Sequence, residues 1–361
     1  MSIVKLFTDN FRNLEQDTAI KLHPKLNFVI GKNGSGKSSF LEAIFYLGHG
    51  KSFRSPNAAN LVNYDKSDFV VSAIDDNEQK IGIKKDIKTD ELIIKIDQEK
   101  KYRLADLVKG IPVQIVTPES FKLFFGGPKE RRRFFDLGLF HVEHTFSESW
   151  KTFSRLLRQR NACLKNRSND IEYWTGLFCE SSVVIADSRE RYIQQLTDEL
   201  KNWLTLLLPN IASEVTVQYF RGWNSKKALH DILLEYKERE IIKGYSQAGP
   251  QKFDVRILHR GLPIENSLSR GQQKLFLLAL TLAQSKLIEK VKQVKPILLI
   301  DDVGAELDAH SRGRLAEALN SLESQVIISA IEKNVLDNLI PTDNNFKMFH
   351  VEHGKLSAMS E

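Results

Sequence analysis

Hydrophobic positions along this chain change their spacing twice. Up to about residue 117, short apolar runs are cut by polar turns. Examples are Phe69 to Ile74, Ile81 to Lys85, Leu92 to Ile96 and Val113 to Thr117, with Asp75-Asp76-Asn77 and Lys88-Thr89-Asp90 as separators. Such runs predict strands. Residues 1–30 predict two strands around a turn at Phe11-Arg12-Asn13, and the whole stretch predicts a mixed sheet. The breaker Phe125-Gly126-Gly127-Pro128 ends this regime. Apolar residues then recur at steps of three and four, as in Phe153, Leu156, Leu157 and in Ile193, Leu196, Leu200, Leu204, Leu207. That spacing predicts helices from Lys129 to about Leu208, stopped by Pro209-Asn210. A strand at Val215 to Phe220, a helix from about Lys226 to Lys243 and a strand at Val255 to His259 follow. After Ile264 the chain returns to loop, helix and parallel-type strands. Ile297-Leu298-Leu299-Ile300 has no alternation, which suits a central parallel strand covered on both faces. No internal repeat, low-complexity segment or sustained heptad is visible.

Composition narrows the class. The chain has 361 residues, 42% hydrophobic and 27% charged, which is ordinary for a globular protein with a sizeable core. Net charge is +6 and pI about 9.0, so nucleic acid is a plausible partner that charge alone does not establish. Cys163 and Cys179 are too few to staple the chain and lack zinc-site spacing. No signal-peptide pattern opens the sequence and no apolar run is long enough to span a membrane, so no membrane partner and a cytoplasmic location are expected.

The candidate chemistry begins at Gly31-Lys32-Asn33-Gly34-Ser35-Gly36-Lys37-Ser38, which fits the phosphate-binding loop G-x-x-x-x-G-K-[ST]. It follows an apolar strand run and precedes a helical one, the context the motif needs. The glycines let consecutive N–H groups turn inward around phosphate oxygens at a helix N-terminus. Lys37 supplies a cation for the β- and γ-phosphates, and Ser38 a hydroxyl for Mg²⁺. A Walker B pattern ends at Asp301-Asp302. Asp301 is expected to hold Mg²⁺, directly or through water, and Asp302 to polarise an attacking water. The alternative is that both acids merely cap a buried strand. Leu268-Ser269-Arg270-Gly271-Gln272-Gln273-Lys274 opens a further helix, with Ser269 as N-cap and Gly271 permitting close approach of an anion. His141-Val142-Glu143-His144 and His350-Val351-Glu352-His353 lack the i, i+4 metalloprotease spacing and are not read as metal sites.

L-S-x-G-Q just before Walker B resembles the signature of the ABC-type ATPases, and Ala305-Glu306-Leu307-Asp308 resembles their D-loop. In that class the signature of one subunit caps the γ-phosphate held by the other, so the resemblance implies ATP, Mg²⁺ and an ATP-dependent homodimer. More than two hundred residues separate Lys37 from Leu268, longer than in transporter cassettes and far shorter than in cohesin-type ATPases. With this insert the chain resembles the RecF family of bacterial recombinational repair. The shared stretches are Phe28 to Ser39, Gly48 to Arg54, Thr117-Pro118-Glu119, Gly127-Pro128, Arg131-Arg132-Arg133-Phe134-Phe135-Asp136, Arg158 to Asn161, Leu268 to Lys274 and Ile300 to Asp308. The resemblance implies an α/β P-loop NTPase, an ABC-type head of the SMC-like class. Lobe I, residues 1–125 plus 291–361, is a mixed-sheet lobe with Walker A and B. Lobe II, residues 126–290, is a helical insert carrying the signature. It further implies binding of single-stranded, gapped and junction DNA, partners RecO and RecR in recombinase loading, and a part in the SOS response. Arg12 is expected at the nucleotide because an equivalent Phe-Arg pair reaches it in related ATPases; a surface turn is the alternative. Ala248-Gly249-Pro250-Gln251-Lys252 departs from the family's His-Gly-Pro-His-Arg-like run, no glutamine loop is evident near Gln114, and the switch position falls on Ser329. Asp302 stands where transporters carry glutamate, from which slow turnover is expected.

Basic clusters suggest where DNA would lie. Arg131, Arg132 and Arg133 are the densest, and Lys51 and Arg54 follow the phosphate-loop helix. Each could equally be a solvated face. Phe134 and Phe135 read as core rather than stacking platforms. Two rival functions remain at this level, a transporter-type ATPase subunit and a DNA-binding scaffold with a vestigial ATP site.

Overall fold

The computed structural model describes residues 2–15, 19–101, 107, 110–302 and 307–359. The chain divides into two compact units. One comprises Met1–Ser120, Leu206–Leu208 and Arg270–Glu361, the other Phe121–Thr205 and Pro209–Ser269.

Among the described residues the first unit contains two sheets of six strands each. In one the spatial order is Lys355–Ala358, Phe346–Glu352, Leu26–Ile30, Val326–Ala330, Ile297–Ile300 and Val113–Val116. All pairs are parallel except the edge strand Lys355–Ala358, which returns antiparallel. Leu26–Ile30, Ile297–Ile300 and Val326–Ala330 are buried throughout, as continuous apolar runs require. The other sheet is antiparallel, ordered Ile20–Lys21, Ile3–Asp9, Asp68–Asp75, Lys80–Asp86, Leu92–Ile96 and Glu99–Lys101. Its strands alternate, with Phe69, Val71 and Ala73 buried and Val70, Ser72 and Ile74 half-buried on the opposite face. The expected single mixed sheet is therefore two. Among the described residues before Gly31 there are three strands, because Leu26–Ile30 leaves its neighbours to pair across nearly the whole chain.

The helix Lys37–His49 lies between these sheets. One core joins Phe40, Leu41, Ile44 and Leu47 of this helix to Leu6, Val71 and Ile83 of the antiparallel sheet and to Val29, Leu299 and Ile327 of the parallel one. A methyl group at Gly48 would sit 2.5 Å from Val113 Cγ2, so the last turn touches the sheet through bare backbone. Packing holds this helix. Each fully buried large side chain contributes about 1.5–3 kcal/mol, against penalties of about 0.7 kcal/mol or less for its serine and aromatic residues.

The second unit is mainly helical, with Pro128–Val142, Phe146–Asn166, the long Ile171–Leu207, Leu229–Glu235 and Lys237–Lys243. A small antiparallel sheet is ordered Leu262–Pro263, Asp254–His259, Val215–Phe220. The helix expected from Lys226 to Lys243 begins only at Leu229 and breaks at Tyr236, which ends one helix and starts the next. Two buried arginines brace the unit. Arg160 donates to Glu240 at 2.7 Å, Ser246 at 2.6 Å and Thr175 at 3.0 Å. Arg189 donates to both oxygens of Asp136 and to the Pro250 carbonyl, with its guanidinium 3.7 Å from the Phe253 ring centroid.

The division differs from the expected boundary at residue 291. The signature helix Arg270–Lys292 groups with the first unit from its first residue, and every residue from Gln273 to Ser285 is buried.

Candidate nucleotide site

The phosphate loop leaves the buried strand Leu26–Ile30 and enters the helix at Lys37. Gly34 and Gly36 have φ of 81° and 122°, which β-carbons disfavour. Gly36 occupies the N-cap, so the first amides of the helix are open to an anion. Lys37 Nζ donates to the carbonyls of Gly31 at 2.6 Å and Lys32 at 3.0 Å, which folds the side chain over the loop. Burial lowers its pKa below the usual lysine value, opposed by the nearby Asp301 and Asp302. The Ser35 hydroxyl is buried in the loop without a partner among the described residues.

Walker B meets this loop from the neighbouring strands. Ser38 Oγ donates to Asp301 Oδ1 at 3.2 Å, and Ser329 Oγ donates to the same oxygen at 2.5 Å. Ser329 also accepts from the Asp302 amide at 2.9 Å. Lys274 of the signature helix donates to the Asp302 carbonyl at 2.7 Å. Asp302 is thus gripped on both sides of its backbone while its φ is 56°, an unusual angle for a non-glycine residue at the end of a strand. Hydroxyl and carboxylate oxygens of Ser38 and Asp301 are the hard donors that Mg²⁺ takes, so the donor set fits that ion.

Further contacts to the loop come from beyond the linear motifs. Asn13 Nδ2 donates to the Gly34 carbonyl at 3.3 Å, and Ser39 Oγ donates to Asn13 Oδ1 at 2.8 Å. Gly354, in the turn between the last two strands, donates from its amide to the Ser35 carbonyl at 2.8 Å. Its neighbour Val351 presents a carbonyl 2.4 Å from where a β-carbon on Gly31 would lie. The hairpin of Phe346–Glu352 and Lys355–Ala358 therefore supports the phosphate loop. The glycine in Glu352-His353-Gly354-Lys355 is the only trace of this in sequence. His350 and Glu352 are in a strand, so the second histidine pair shares no helix face.

Other expected site residues are turned elsewhere. Arg12 Nε and Nη2 donate to Glu42 at 2.9 and 2.8 Å, a fork on a fully buried carboxylate. Glu42 also accepts from the Ser52 hydroxyl and lies 3.6 Å from Arg54 Nη1. A buried carboxylate needs such partners, and here it takes Arg12, which sequence had set at the nucleotide, and Arg54, set at DNA. Arg131 forms a bidentate pair with Asp254 at 2.8 and 2.9 Å, and Arg132 donates to the Phe253 carbonyl at 3.0 Å. Arg133 and Lys51 are exposed. Phe135 is buried and Phe134 packs edge-on against it. Ser269 directly precedes the signature helix, whose first turn carries Arg270, Gly271 and Gln272. Of the D-loop, Ala305 and Glu306 lie outside the described residues. Asp308 accepts from the Ser311 amide at 2.7 Å and caps the helix Ala309–Asn320. Gln114 lies inside the strand Val113–Val116, not in a loop.

The sequence model described as RecF/RecN/SMC N terminal domain matches residues 2–357. DNA replication and repair protein RecF of Colwellia psychrerythraea is 55% identical over 366 residues, covering 98% of this chain and 97% of that protein. The chain belongs to the RecF family. Another RecF, from Haemophilus influenzae, is 39% identical over 367 residues and is covered end to end. The solved structure of the recombination mediator protein RecF-ATP in the RecFOR pathway matches with a TM-score of 0.85 at 23% identity, over 99% of this chain and 98% of that one. The Smc head domain from Pyrococcus furiosus, bound to the C-terminal domain of ScpA, matches with a TM-score of 0.57 at 16% identity over 99% and 96%. These likenesses show that RecF and Smc heads share one ATPase-head fold. Among the described residues no helix is long and apolar enough to cross a membrane.

Proposed function

We propose that this RecF-family chain is an ATP-dependent DNA-binding protein of replication and recombinational repair, whose ATP-bound form is a head-to-tail dimer. The observation that carries the reading is the convergence of Lys37, Ser38, Asp301 and Asp302 on one loop, with Lys274 tying the signature helix to Asp302. The loop amides and Lys37 bind the β- and γ-phosphates. Ser38 and Asp301 hold Mg²⁺, which neutralises phosphate charge when bound. Asp302 orients the attacking water and accepts its proton. Ser269, Arg270, Gly271 and Gln272 of the partner chain cap the γ-phosphate, so the triphosphate is the group that distinguishes dimer from monomer. Hydrolysis is slow because the aspartate is one methylene shorter than glutamate, and it releases the DNA. RecF-ATP in the RecFOR pathway supports ATP as the nucleotide and RecO and RecR as partners. Support for recombinase loading and the SOS response follows the same family reading.

DNA-dependent ATP turnover tests this against the rivals. Gapped DNA should stimulate hydrolysis, and Lys37→Arg should abolish the stimulation and the ATP-dependence of DNA affinity. Turnover indifferent to DNA would favour a transporter-type subunit. DNA affinity indifferent to ATP and to Lys37→Arg would favour a scaffold with a vestigial site.

A further inference from the structure

The ion pair Arg160–Glu240 is buried at both ends, and the nucleotide chemistry has no use for it. What it holds is a loop. The helix Lys237–Lys243 stops at Gly244, which is left-handed with φ 72°. The next residues are pinned from inside. Arg160 donates to Ser246 Oγ, Asn161 Oδ1 accepts from the Ser246 amide and hydroxyl at 2.8 Å each, and Glu240 Oε1 accepts from the Gln247 amide at 2.6 Å. A buried charge pair is a costly anchor, and it fixes this turn in one shape. Ser246 faces in, while Tyr245 faces out and is 44% exposed.

Basic side chains lie near that ring. Lys252 Nζ lies over one face of the ring, 5.6 Å from its centroid, and Lys243 Nζ donates only to the neutral Gln247 Oε1, at 3.0 Å. The Tyr245 phenol is held below the usual tyrosine range by its hydrogen bond with Gln247, then by Lys243, Lys252 and Arg239. Lys165 packs beside Gly244, with its Cβ 3.7 Å from where a β-carbon there would sit. Lys165, Arg239, Lys243 and Lys252 are exposed. Unlike Arg131, which is spent on Asp254, none of the four has an ion-pair partner among the described residues. An exposed aromatic ring with one face open and cations without ion-pair partners nearby matches a nucleic-acid strand whose bases are unstacked, since the open face accepts any base and the cations take the flanking phosphates.

We propose that Tyr245, with Lys243 and Lys252, is a contact site for single-stranded DNA, at which the ring stacks on an unpaired base and the two ammonium groups engage neighbouring phosphates. This rests on the DNA-binding reading above and deepens it. The site selects the single-stranded arm of a gap by base stacking and is tolerant of sequence.

The test uses the full chain with ATP and Mg²⁺, and fluorescence anisotropy on a labelled oligo-dT, a gapped duplex and a blunt duplex over a salt series. Tyr245→Ala should bind oligo-dT and the gapped duplex about tenfold more weakly, with the blunt duplex unchanged. Tyr245→Phe should match wild type. Lys243→Glu combined with Lys252→Glu should lower the single-strand salt slope by about 1.4. Thermal unfolding should match wild type in all variants, which verifies that the second unit is folded. Wild-type affinity of Tyr245→Ala for oligo-dT, an equal loss on the blunt duplex, or a loss in Tyr245→Phe as large as in Tyr245→Ala would each overturn the proposal alone. A wild type that binds none of the three DNAs would instead overturn the DNA-binding reading on which it rests.

Discussion

Replacing Gly354 with alanine should cripple the nucleotide site from the far end of the chain. The added β-carbon would lie 1.8 Å from the Asn13 carbonyl oxygen, 2.9 Å from its carbon and 3.2 Å from the Glu15 nitrogen. All three are backbone atoms, so no side chain can swing away, and the turn must retreat by about 1 Å. Its φ of 82° adds about 1–2 kcal/mol of left-handed strain for alanine. The retreat also strains two backbone bonds, Gly354 N to Ser35 O and Glu15 N to Gly354 O, each worth about 1 kcal/mol. The expected loss of stability is therefore about 2–4 kcal/mol. The local effect matters more. Asn13 bonds the loop at Gly34 and the helix through Ser39, so displacing it moves the phosphate-binding amides, and about 1 Å of misplacement can cost on the order of a hundredfold in turnover. The assay is affinity for a fluorescent ATP analogue and single-turnover hydrolysis, with thermal unfolding in parallel. Gly222→Ala is the control, because its β-carbon would lie 2.0 Å from the Gly249 carbonyl within the second unit at φ 103°. It should destabilise comparably and leave nucleotide affinity near wild type. Wild-type ATP binding by Gly354→Ala, or an equal loss in Gly222→Ala, would refute the claim that the C-terminal turn shapes the loop.

Further outcomes follow from single contacts. Lys274→Met keeps the apolar stem but removes the donor to the Asp302 carbonyl, worth about 1.5–3 kcal/mol as a charged hydrogen bond. Hydrolysis should fall by roughly tenfold or more, with ATP affinity nearly unchanged; equal loss of both would assign Lys274 to nucleotide binding instead. Arg160→Met leaves Glu240 buried and unpaired and should cost about 3–5 kcal/mol, read by thermal unfolding, and the double variant with Glu240→Met should recover much of it. No recovery would mean that the pair's hydrogen bonds to Ser246 and Gln247, not its charge balance, hold that fold.

What sequence disclosed and what it hid divide by the range of the interaction. The phosphate loop is contiguous, and strand, glycines and helix all sit within a few turns of chain, so local rules suffice for Gly31 to Ser38. Ile297–Ile300 was legible because burial on both faces removes alternation. Gly354 and Asn13 meet Ser35 and Gly34 across hundreds and tens of residues, and no periodicity reports such pairing. Charge runs hide their partners for a related reason. Arg131 and Arg132 look like a DNA surface until Asp254 and the Phe253 carbonyl, more than a hundred residues on, consume them. Arg12 is expected at the nucleotide by analogy with related ATPases; in the structure it pairs with Glu42, a lone acid in an apolar helix whose burial calls for a cation. The two sheets appeared as one because strand runs do not name their partners.

Sedimentation of wild type and Asp302→Asn with Mg²⁺ and ATP, ADP or no nucleotide tests the central claim most directly. The account predicts monomer without nucleotide and with ADP, a transient dimer for wild type with ATP, and a stable ATP dimer for Asp302→Asn, whose amide cannot take the proton of the attacking water. Monomer in every condition, including saturating ATP with gapped DNA present, would contradict it.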